Sequence, residues 1–103
     1  MKLNVLERLI VLNLLPAEGS FANLKILRVV REELSFDEKE HKALGFNQDG
    51  EQLTWKQDAN VPDKDVKFGE IATQMVVKKL EEMDKKEELK NEHFSVYEKF
   101  MNK

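Results

Sequence analysis

A break between two helical segments, at Pro16 and Gly19, constrains the fold more than any other feature of the sequence. Proline cannot continue a helix and glycine tolerates positive φ, so a first helix is expected to end in this interval. Ser20 is the predicted N-cap of a second helix, because its hydroxyl can accept from a free backbone amide of the first turn. Beyond Ser20 the apolar residues recur with the spacing of one buried helix face. That face is predicted to comprise Leu24, Leu27, Val30, Arg31 and Leu34, widened by Phe21 and Ile26.

A second break begins at Ser35 and restarts the chain as a third helix. Its pattern matches a capping box, in which Ser35 accepts from the amide of Glu38 and Glu38 reaches back to the amide of Ser35. The acidic residues that follow also lie at the positive end of the new helix dipole. We expect this helix to run from Phe36 to about Leu44 and to end at Gly45.

Further helices are predicted on both sides of these two breaks. Asn4 and Glu7 form a weaker capping box, and the apolar helix that follows carries only Glu7 and Arg8 as charges. Such a helix is expected to be covered on most sides, either as the central helix or in a subunit interface. Its predicted buried stripe is Leu6, Leu9, Ile10, Asn13 and Leu14. Toward the C-terminus, a helix from about Glu70 meets a polar interval at residues 84–92. Two helices are expected rather than one, because the polar middle of a single long helix would be unsupported.

The dipeptide Asp49-Gly50 predicts a β-hairpin, since both central positions of a type I′ turn require positive φ. In that register Gln48 pairs with Glu51. The apolar pairs that this register brings together are Phe46–Leu53 and Leu44–Trp55. Residues 65–68 alternate between polar and apolar and are expected to add a short third strand.

The chain length is that of one domain, because 103 residues are enough to bury a core without disulfides or metals. We therefore predict a single compact α+β domain over residues 1–103, with four or five helices and a small antiparallel hairpin or three-stranded sheet. The absence of cysteine excludes disulfides, a thiol nucleophile and thiolate zinc sites. Seventeen basic residues against 20 acidic ones argue against nucleic-acid binding. The longest apolar run, Leu9–Leu12, is too short for a membrane span, so cytoplasmic location is the default.

No catalytic or metal-binding constellation stands out in the sequence. His41 follows Asp37 and Glu38 at helical spacing, as in the Glu-x-x-His motif of di-iron bundles, but the required second copy is missing. The acidic residues near the hairpin do not follow the order of a calcium loop. We therefore predict a protein that is not an enzyme and that has no catalytic residues, no metal ligands and no cofactor.

Two groups of charged residues are the candidate partner-binding sites. Lys25, Arg28 and Arg31 lie roughly along one side of the second helix, and Asp49 and Glu51 lie at the hairpin tip. Three helices followed by a hairpin also suggest a winged helix, in which such a helix enters the major groove of DNA. The acidic hairpin tip argues against this alternative, because it would meet the DNA phosphates repulsively.

The region from residue 14 to residue 40 resembles small proteins encoded by bacteriophages and prophages. The shared pattern is Leu-Leu-Pro-x-Glu-Gly, then Leu-Lys-Ile, then Arg-Glu-Glu-Leu-Ser-Phe followed by acidic residues. In this chain these motifs occupy residues 14–19, 24–26 and 31–36, and the ending at residues 96–100 is also similar. The resemblance implies a phage setting and a bacterial host cytoplasm. It implies no activity and no functional residues.

The function expected from these observations is a non-enzymatic phage-type protein that binds a host or phage macromolecule, with inhibition of host defence as one form of that role. A homodimer is expected, because the first helix and the last helix are unusually apolar. The apolar residues of the last helix are Phe94, Tyr97, Phe100 and Met101. Two alternatives remain: an oligomer that sequesters a small nucleotide-like signalling ligand, and the winged-helix DNA-binding regulator.

Overall fold

The computed structural model describes residues 1–101, and over this range the chain forms five α-helices and two small antiparallel sheets. This confirms the predicted α+β class. In chain order the elements are β1 (Lys2–Leu3), α1 (Val5–Leu14), α2 (Phe21–Leu34), α3 (Glu38–Leu44), β2 (Asn47–Asp49), β3 (Gln52–Thr54), β4 (Lys64–Asp65), α4 (Gly69–Lys85) and α5 (Phe94–Met101). A short 3₁₀ turn at Asn91–His93 leads into α5.

Helix α1 is the central helix of the fold, and it contacts α2, α4, α5 and β1. The main core is one contiguous apolar cluster to which all of these elements contribute. Its most deeply buried members are Leu3, Val11, Leu27, Leu34, Val66, Ala72, Val76, Leu80 and Val96. Burial within one chain therefore accounts for most of the apolar character of α1 without a subunit interface.

The face of α1 that points inward differs from the predicted stripe. Leu6 is 38% exposed and Asn13 is also exposed, whereas Glu7 and Arg8 are only 2% and 0% exposed. The prediction was wrong here because an apolar-periodicity argument assigns charged residues to solvent. The residues that α1 buries are Glu7, Arg8, Ile10, Val11 and Leu14.

Both inward charges of α1 are paired. The Arg8 Nη1 donates to Glu40 Oε2 at 2.6 Å, and the Lys99 Nζ donates to Glu7 Oε1 at 2.8 Å. Burial alone would raise the pKa of Glu7, but the hydrogen bonds from Lys99 and from the Asn4 amide outweigh it and lower that pKa. These partners lie 32 and 92 residues away along the chain, so no local pattern indicates them.

The cap of α3 lies two residues later than predicted. Asp37 is the N-cap: its Oδ1 accepts from the Glu40 amide at 2.8 Å, and Glu40 Oε1 accepts from the Asp37 amide at 3.0 Å. Ser35 instead ends α2, and its hydroxyl donates to the carbonyl of Arg31 at 2.7 Å. The sequence contains two overlapping capping boxes, Ser35 with Glu38 and Asp37 with Glu40, and the structure uses the second.

The hairpin forms in a register other than the predicted one. Its turn is Gly50-Glu51 rather than Asp49-Gly50, and Gly50 alone has positive φ, at 63°. Glycine with positive φ at the first central position is the pattern of a type II′ turn. The observed pairs are Asn47–Thr54, Gln48–Leu53 and Asp49–Gln52. The shift brings Phe46 against Trp55, with ring centroids 6.1 Å apart.

The predicted third strand does not join the hairpin. Strand β4 is Lys64–Asp65, and it pairs with β1 so that Lys2 lies opposite Asp65 and Leu3 opposite Lys64. The part of the chain that the structure describes therefore has two separate two-stranded sheets instead of one three-stranded sheet. A two-residue strand such as β1 is too short to show alternation, so its pairing could not be anticipated.

The C-terminal region forms two helices, as predicted. Helix α4 ends at Lys85, and Glu87 then adopts a positive φ of 55°, which stops the helix from continuing. Lys90 holds the N-cap position of the 3₁₀ turn that leads into the last helix, and its amide donates to His93 Nδ1 at 3.0 Å. Over residues 1–101, no helix is both long enough and apolar enough to cross a membrane.

Candidate functional site

The exposed side of α2 near its N-terminus combines apolar and basic side chains. Phe21 is 72% exposed and Leu24 is 39% exposed, and Lys25 and Arg28 beside them are also exposed. These four residues follow i, i+3, i+4 and i+7 spacing, which places them on one side of a helix. We call Phe21, Leu24, Lys25 and Arg28 the α2 face.

Local sequence and core packing together orient this face. The Ser20 hydroxyl accepts from the Asn23 amide at 3.1 Å, as predicted for an N-cap, so the helix begins at Phe21. Three residues of α2 are buried, namely Leu27, Val30 and Leu34. Their burial rotates α2 so that the α2 face points away from the core. The predicted buried face was therefore too wide, because Phe21 and Leu24 lie outside it.

Among the residues that the structure describes, the two cations of the α2 face have no intramolecular partner. Within residues 1–101, neither Lys25 nor Arg28 forms an ion pair or a side-chain hydrogen bond. Glu32 is four residues beyond Arg28 and exposed, yet it does not bridge to Arg28. Both cations are therefore available to a carboxylate or phosphate of another molecule.

Arg31 was predicted to belong to this basic group, but the structure gives it another role. It is half-buried, and its Nη2 donates to the carbonyl of Pro16 at 2.8 Å and to that of Leu15 at 3.4 Å. These bonds tie the residues just after α1 to the last turn of α2 and fix the connection between the helices. The guanidinium of Arg31 is thus engaged by the chain itself, and the candidate site is reduced to Lys25 and Arg28.

The α2 face is an open hollow rather than an enclosed pocket. Gly19 and the four residues of the face line a space of about 630 Å³ that opens to solvent. Four of the five lining residues lie on α2, and Gly19 lies just before it. A small molecule held there would stay largely exposed, whereas a protruding side chain of another protein would be covered by its own backbone.

The predicted acidic site at the hairpin tip is separate from the α2 face. Asp49 ends β2 and Glu51 lies in the turn, and both side chains are exposed. Over residues 1–101, the two hairpin strands contact each other but not α2. The structure therefore brings Lys25 and Arg28 together and leaves Asp49 and Glu51 on a different part of the surface.

An aromatic cluster that the sequence did not predict joins α3 to the hairpin. The ring centroid of Phe46 lies 5.1 Å from that of Phe36 and 5.4 Å from that of His41, and Trp55 extends the cluster. The Arg8 guanidinium carbon lies 3.9 Å from the Phe36 centroid, within cation–π range. His41 is thus part of an aromatic contact. Among residues 1–101, no three His, Asp or Glu side chains are grouped so that they could hold a metal ion.

A second exposed aromatic residue, Phe94, lies at the start of α5 and is 68% exposed. It lines a pocket of about 250 Å³ together with Tyr97 and Leu89. The Tyr97 hydroxyl donates to Asp84 at 3.3 Å, and burial together with this carboxylate raises the pKa of Tyr97. Carboxylates and a lysine both line this pocket, so its charge favours no single class of ligand.

Comparison with known proteins finds no relative of this chain. No family model, curated protein or solved structure matches it. The candidate site is therefore defined by its geometry: an exposed aromatic ring, a half-exposed leucine and two free cations on one helix of a small α+β protein.

Proposed function

We propose that the protein is a non-enzymatic interaction protein that binds another macromolecule through the α2 face. The observation that carries this proposal is Phe21, a phenylalanine that is 72% exposed beside Leu24 and two free cations. Tryptophan, tyrosine and arginine contribute most to protein–protein binding energy, and phenylalanine is also enriched in interfaces. The face combines an aromatic ring and an arginine, two types that are enriched in interfaces, with an apolar neighbour.

The biological setting of the proposal comes from the resemblance to small phage and prophage proteins. On that basis the partner is a host or phage macromolecule in the bacterial cytoplasm, and inhibition of host defence is one form of the role. Small size suits a protein that acts by covering a partner's surface.

Three observations support protein binding over the winged-helix alternative. Arg31, which would strengthen a DNA-reading helix, directs its donors to the carbonyls of Leu15 and Pro16. The hairpin tip carries Asp49 and Glu51, and the chain has a net charge of −3. A duplex contact of usual strength neutralises several phosphates, and two free cations on α2 supply too little positive charge for this.

The alternative of sequestering a small nucleotide-like ligand is also less well supported. Ligand pockets cover most of a bound molecule, but the hollow at the α2 face is open to solvent. A site closed by a second subunit would be required. That alternative therefore depends on dimerisation, which is a proposal of its own.

A homodimer through α1 or α5 remains a proposal. Fewer apolar residues are exposed on these two helices than the sequence suggested. Ile10, Val11 and Phe100 are buried within the single chain, so they do not call for a second copy. Leu6 and Phe94 remain exposed, at 38% and 68%. Light scattering at micromolar concentration tests this directly, and a mass of 12.1 kDa would contradict a dimer.

Site-specific crosslinking tests the proposed function. A benzoylphenylalanine at position 21 is compared with one at position 51, each in the full chain and exposed to lysate of a bacterial host. We expect a discrete crosslinked protein from position 21 that disappears in the Lys25→Glu, Arg28→Glu double variant. The matched control, Lys78→Glu with Lys79→Glu on the exposed side of α4, should leave that crosslink unchanged. Crosslinking only from position 51, or equal crosslinking in all variants, would contradict the proposal.

A further inference from the structure

We infer that the partner of the α2 face is an acidic protein segment that carries an apolar anchor side chain. The inference rests on the proposed function and names the chemistry of the partner. Its basis is charge complementarity: Lys25 and Arg28 are exposed and free of ion pairs within residues 1–101, and they lie beside the apolar Phe21 and Leu24.

The order of residues along α2 defines what such a segment must look like. With a rise of about 1.5 Å per residue, Lys25 lies about 6 Å and Arg28 about 10 Å along the axis from Phe21. Apolar side chains therefore occupy the N-terminal end of the face and cations the C-terminal end. A segment that rests an apolar side chain on Phe21 and Leu24 needs carboxylates one to two helical turns away.

The surroundings of the face limit the positive region on both sides. The first turn of α2 contains no acidic residue, and the nearest one, Glu18, lies two residues before the N-cap Ser20. Glu32, exposed one turn beyond Arg28, ends the basic region. The partner segment is therefore expected to carry its acidic residues within a span of about two turns and to have neutral or basic residues beyond it.

A protein segment fits the face better than a nucleic acid does. Phe21 is the one aromatic ring of the α2 face, and its neighbour Leu24 is aliphatic and does not stack on bases. Val29, which is 59% exposed on the same helix, adds further aliphatic surface. Single-stranded nucleic acids are usually held by several stacking aromatic rings in a positively charged groove. Two cations on a chain of net charge −3 do not make such a groove.

Selection from a library of displayed 16-residue peptides tests this chemistry on the full chain. Peptides are selected on the unchanged protein after depletion on the Lys25→Glu, Arg28→Glu double variant. We expect the recovered peptides to be acidic and to carry a Leu, Ile, Phe or Trp within two helical turns of their carboxylates. Fluorescence anisotropy then gives the Kd of a recovered peptide, which should weaken about tenfold or more in the Phe21→Ser variant.

Charge exchange provides the sharpest control. A recovered peptide with its Glu and Asp residues replaced by Lys should lose binding to the unchanged protein and gain binding to the Lys25→Glu, Arg28→Glu variant. The Lys78→Glu, Lys79→Glu variant should bind the original peptide with unchanged Kd. Binding should also weaken as salt is raised from about 0.05 to 0.5 M, because exposed charges are screened.

Several outcomes would overturn the inference. The selection could recover peptides without acidic residues, or no peptides above background. The double variant could bind a recovered peptide as well as the unchanged protein does. A 20-nucleotide single-stranded DNA could bind more tightly than the peptides and lose binding in the Lys25→Glu, Arg28→Glu variant. The two proposals fail separately. A crosslink from position 21 to a partner whose bound segment is not acidic would retain the proposed function and remove this inference. Acidic peptides that bind the α2 face, with no crosslinked protein found in lysate, would retain this inference about chemistry and remove the proposed function.

Discussion

The fully buried guanidinium of Arg8 places its Nη1 2.6 Å from Oε2 of Glu40, which joins α1 to α3. The same side chain donates to the carbonyl of Leu34 at 3.1 Å and to that of Ser35 at 2.6 Å. These carbonyls lie at the C-terminal end of α2, where the helix dipole favours a cation. Three helices therefore meet at one arginine, and Phe36 covers it with its ring.

Removing the counter-charge at this junction should destabilise the protein. Glu40→Gln leaves the buried Arg8 without its carboxylate, and we expect a loss of about 3 kcal/mol in the free energy of unfolding. The loss lies at the lower end of the usual range, because Glu40 is one-fifth exposed and Arg8 keeps its two carbonyl acceptors. Urea denaturation measures it. The control is Glu38→Gln on the same helix, whose exposed pair with Lys42 at 3.7 Å should be worth under about 1 kcal/mol. Equal losses would contradict a structural role for the Arg8–Glu40 pair.

Stability should fall as the solution is acidified. The hydrogen bond from Arg8 lowers the pKa of Glu40, so the folded state favours the ionised carboxylate. A group with a lowered folded-state pKa contributes stability above its unfolded pKa and loses that contribution as pH falls through the folded value. With an unfolded glutamate pKa of about 4.3, the urea midpoint should begin to decrease below about pH 5. Glu7, whose pKa is also lowered, adds to the decrease.

The variant Glu40→Gln isolates the contribution of Glu40 to that titration. Between about pH 5 and pH 3 its urea midpoint should decrease less than that of the unchanged protein. The reason is that the glutamine amide does not titrate, so the contribution of Glu40 to the pH dependence is lost while that of Glu7 remains. Identical decreases would show that Glu40 is not ionised preferentially in the folded state.

The position of the α3 cap gives a third test. Asp37→Ala removes the side chain that accepts from the Glu40 amide, and we expect a cost of about 1 kcal/mol. Ser35→Ala removes only a hydroxyl that donates to the Arg31 carbonyl on an exposed surface, so it should cost less than about 0.5 kcal/mol. Thermal or urea unfolding of both variants decides the matter. A larger loss of stability for Ser35→Ala than for Asp37→Ala would indicate that Ser35, and not Asp37, caps α3.

Two leucines of α2 test the orientation of the α2 face. Leu27 is 1% exposed, so Leu27→Ala should cost about 2–5 kcal/mol through lost burial and the cavity left behind. Leu24→Ala should cost less than about 1 kcal/mol, because Leu24 is 39% exposed. Urea denaturation of the two variants gives both values. Comparable losses at the two positions would mean that α2 is rotated and that Leu24 is unavailable to a partner.

The sequence predicted the helices well because their signals are local. Pro16 and Gly19 separate α1 from α2, Ser20 caps α2, and Gly45 ends α3 with a φ of 56°. Each of these features acts through the backbone of a few neighbouring residues, so it operates in the same way in almost any tertiary context.

The hairpin register shows where a local signal is insufficient. Asp49, Gly50 and Glu51 are compatible with two turn positions, and the observed turn places Gly50 first. That register puts Phe46 and Trp55 side by side, within an aromatic cluster whose other members lie on α3 or just before it. The observed register thus goes together with packing against α3, a tertiary contact that the turn sequence does not indicate.

The candidate site was predicted in part. Lys25 and Arg28 were chosen correctly as exposed cations, since helical periodicity separates them from Leu27 and Val30. Arg31 shares their charge and spacing, but its side chain meets the carbonyls at the end of α1, which only the crossing of the two helices provides.

The sequence by itself determined the class of fold, limited the helices to four or five and located where most of them begin and end, because capping and periodicity are properties of short segments. Tertiary structure alone decided which charges of α1 face inward, which capping box starts α3, which strand pairs with β1 and which arginine of α2 is free. Each of those outcomes depends on a partner far along the chain, such as Glu40 for Arg8. A buried charge is tolerated only where such a partner offsets its desolvation.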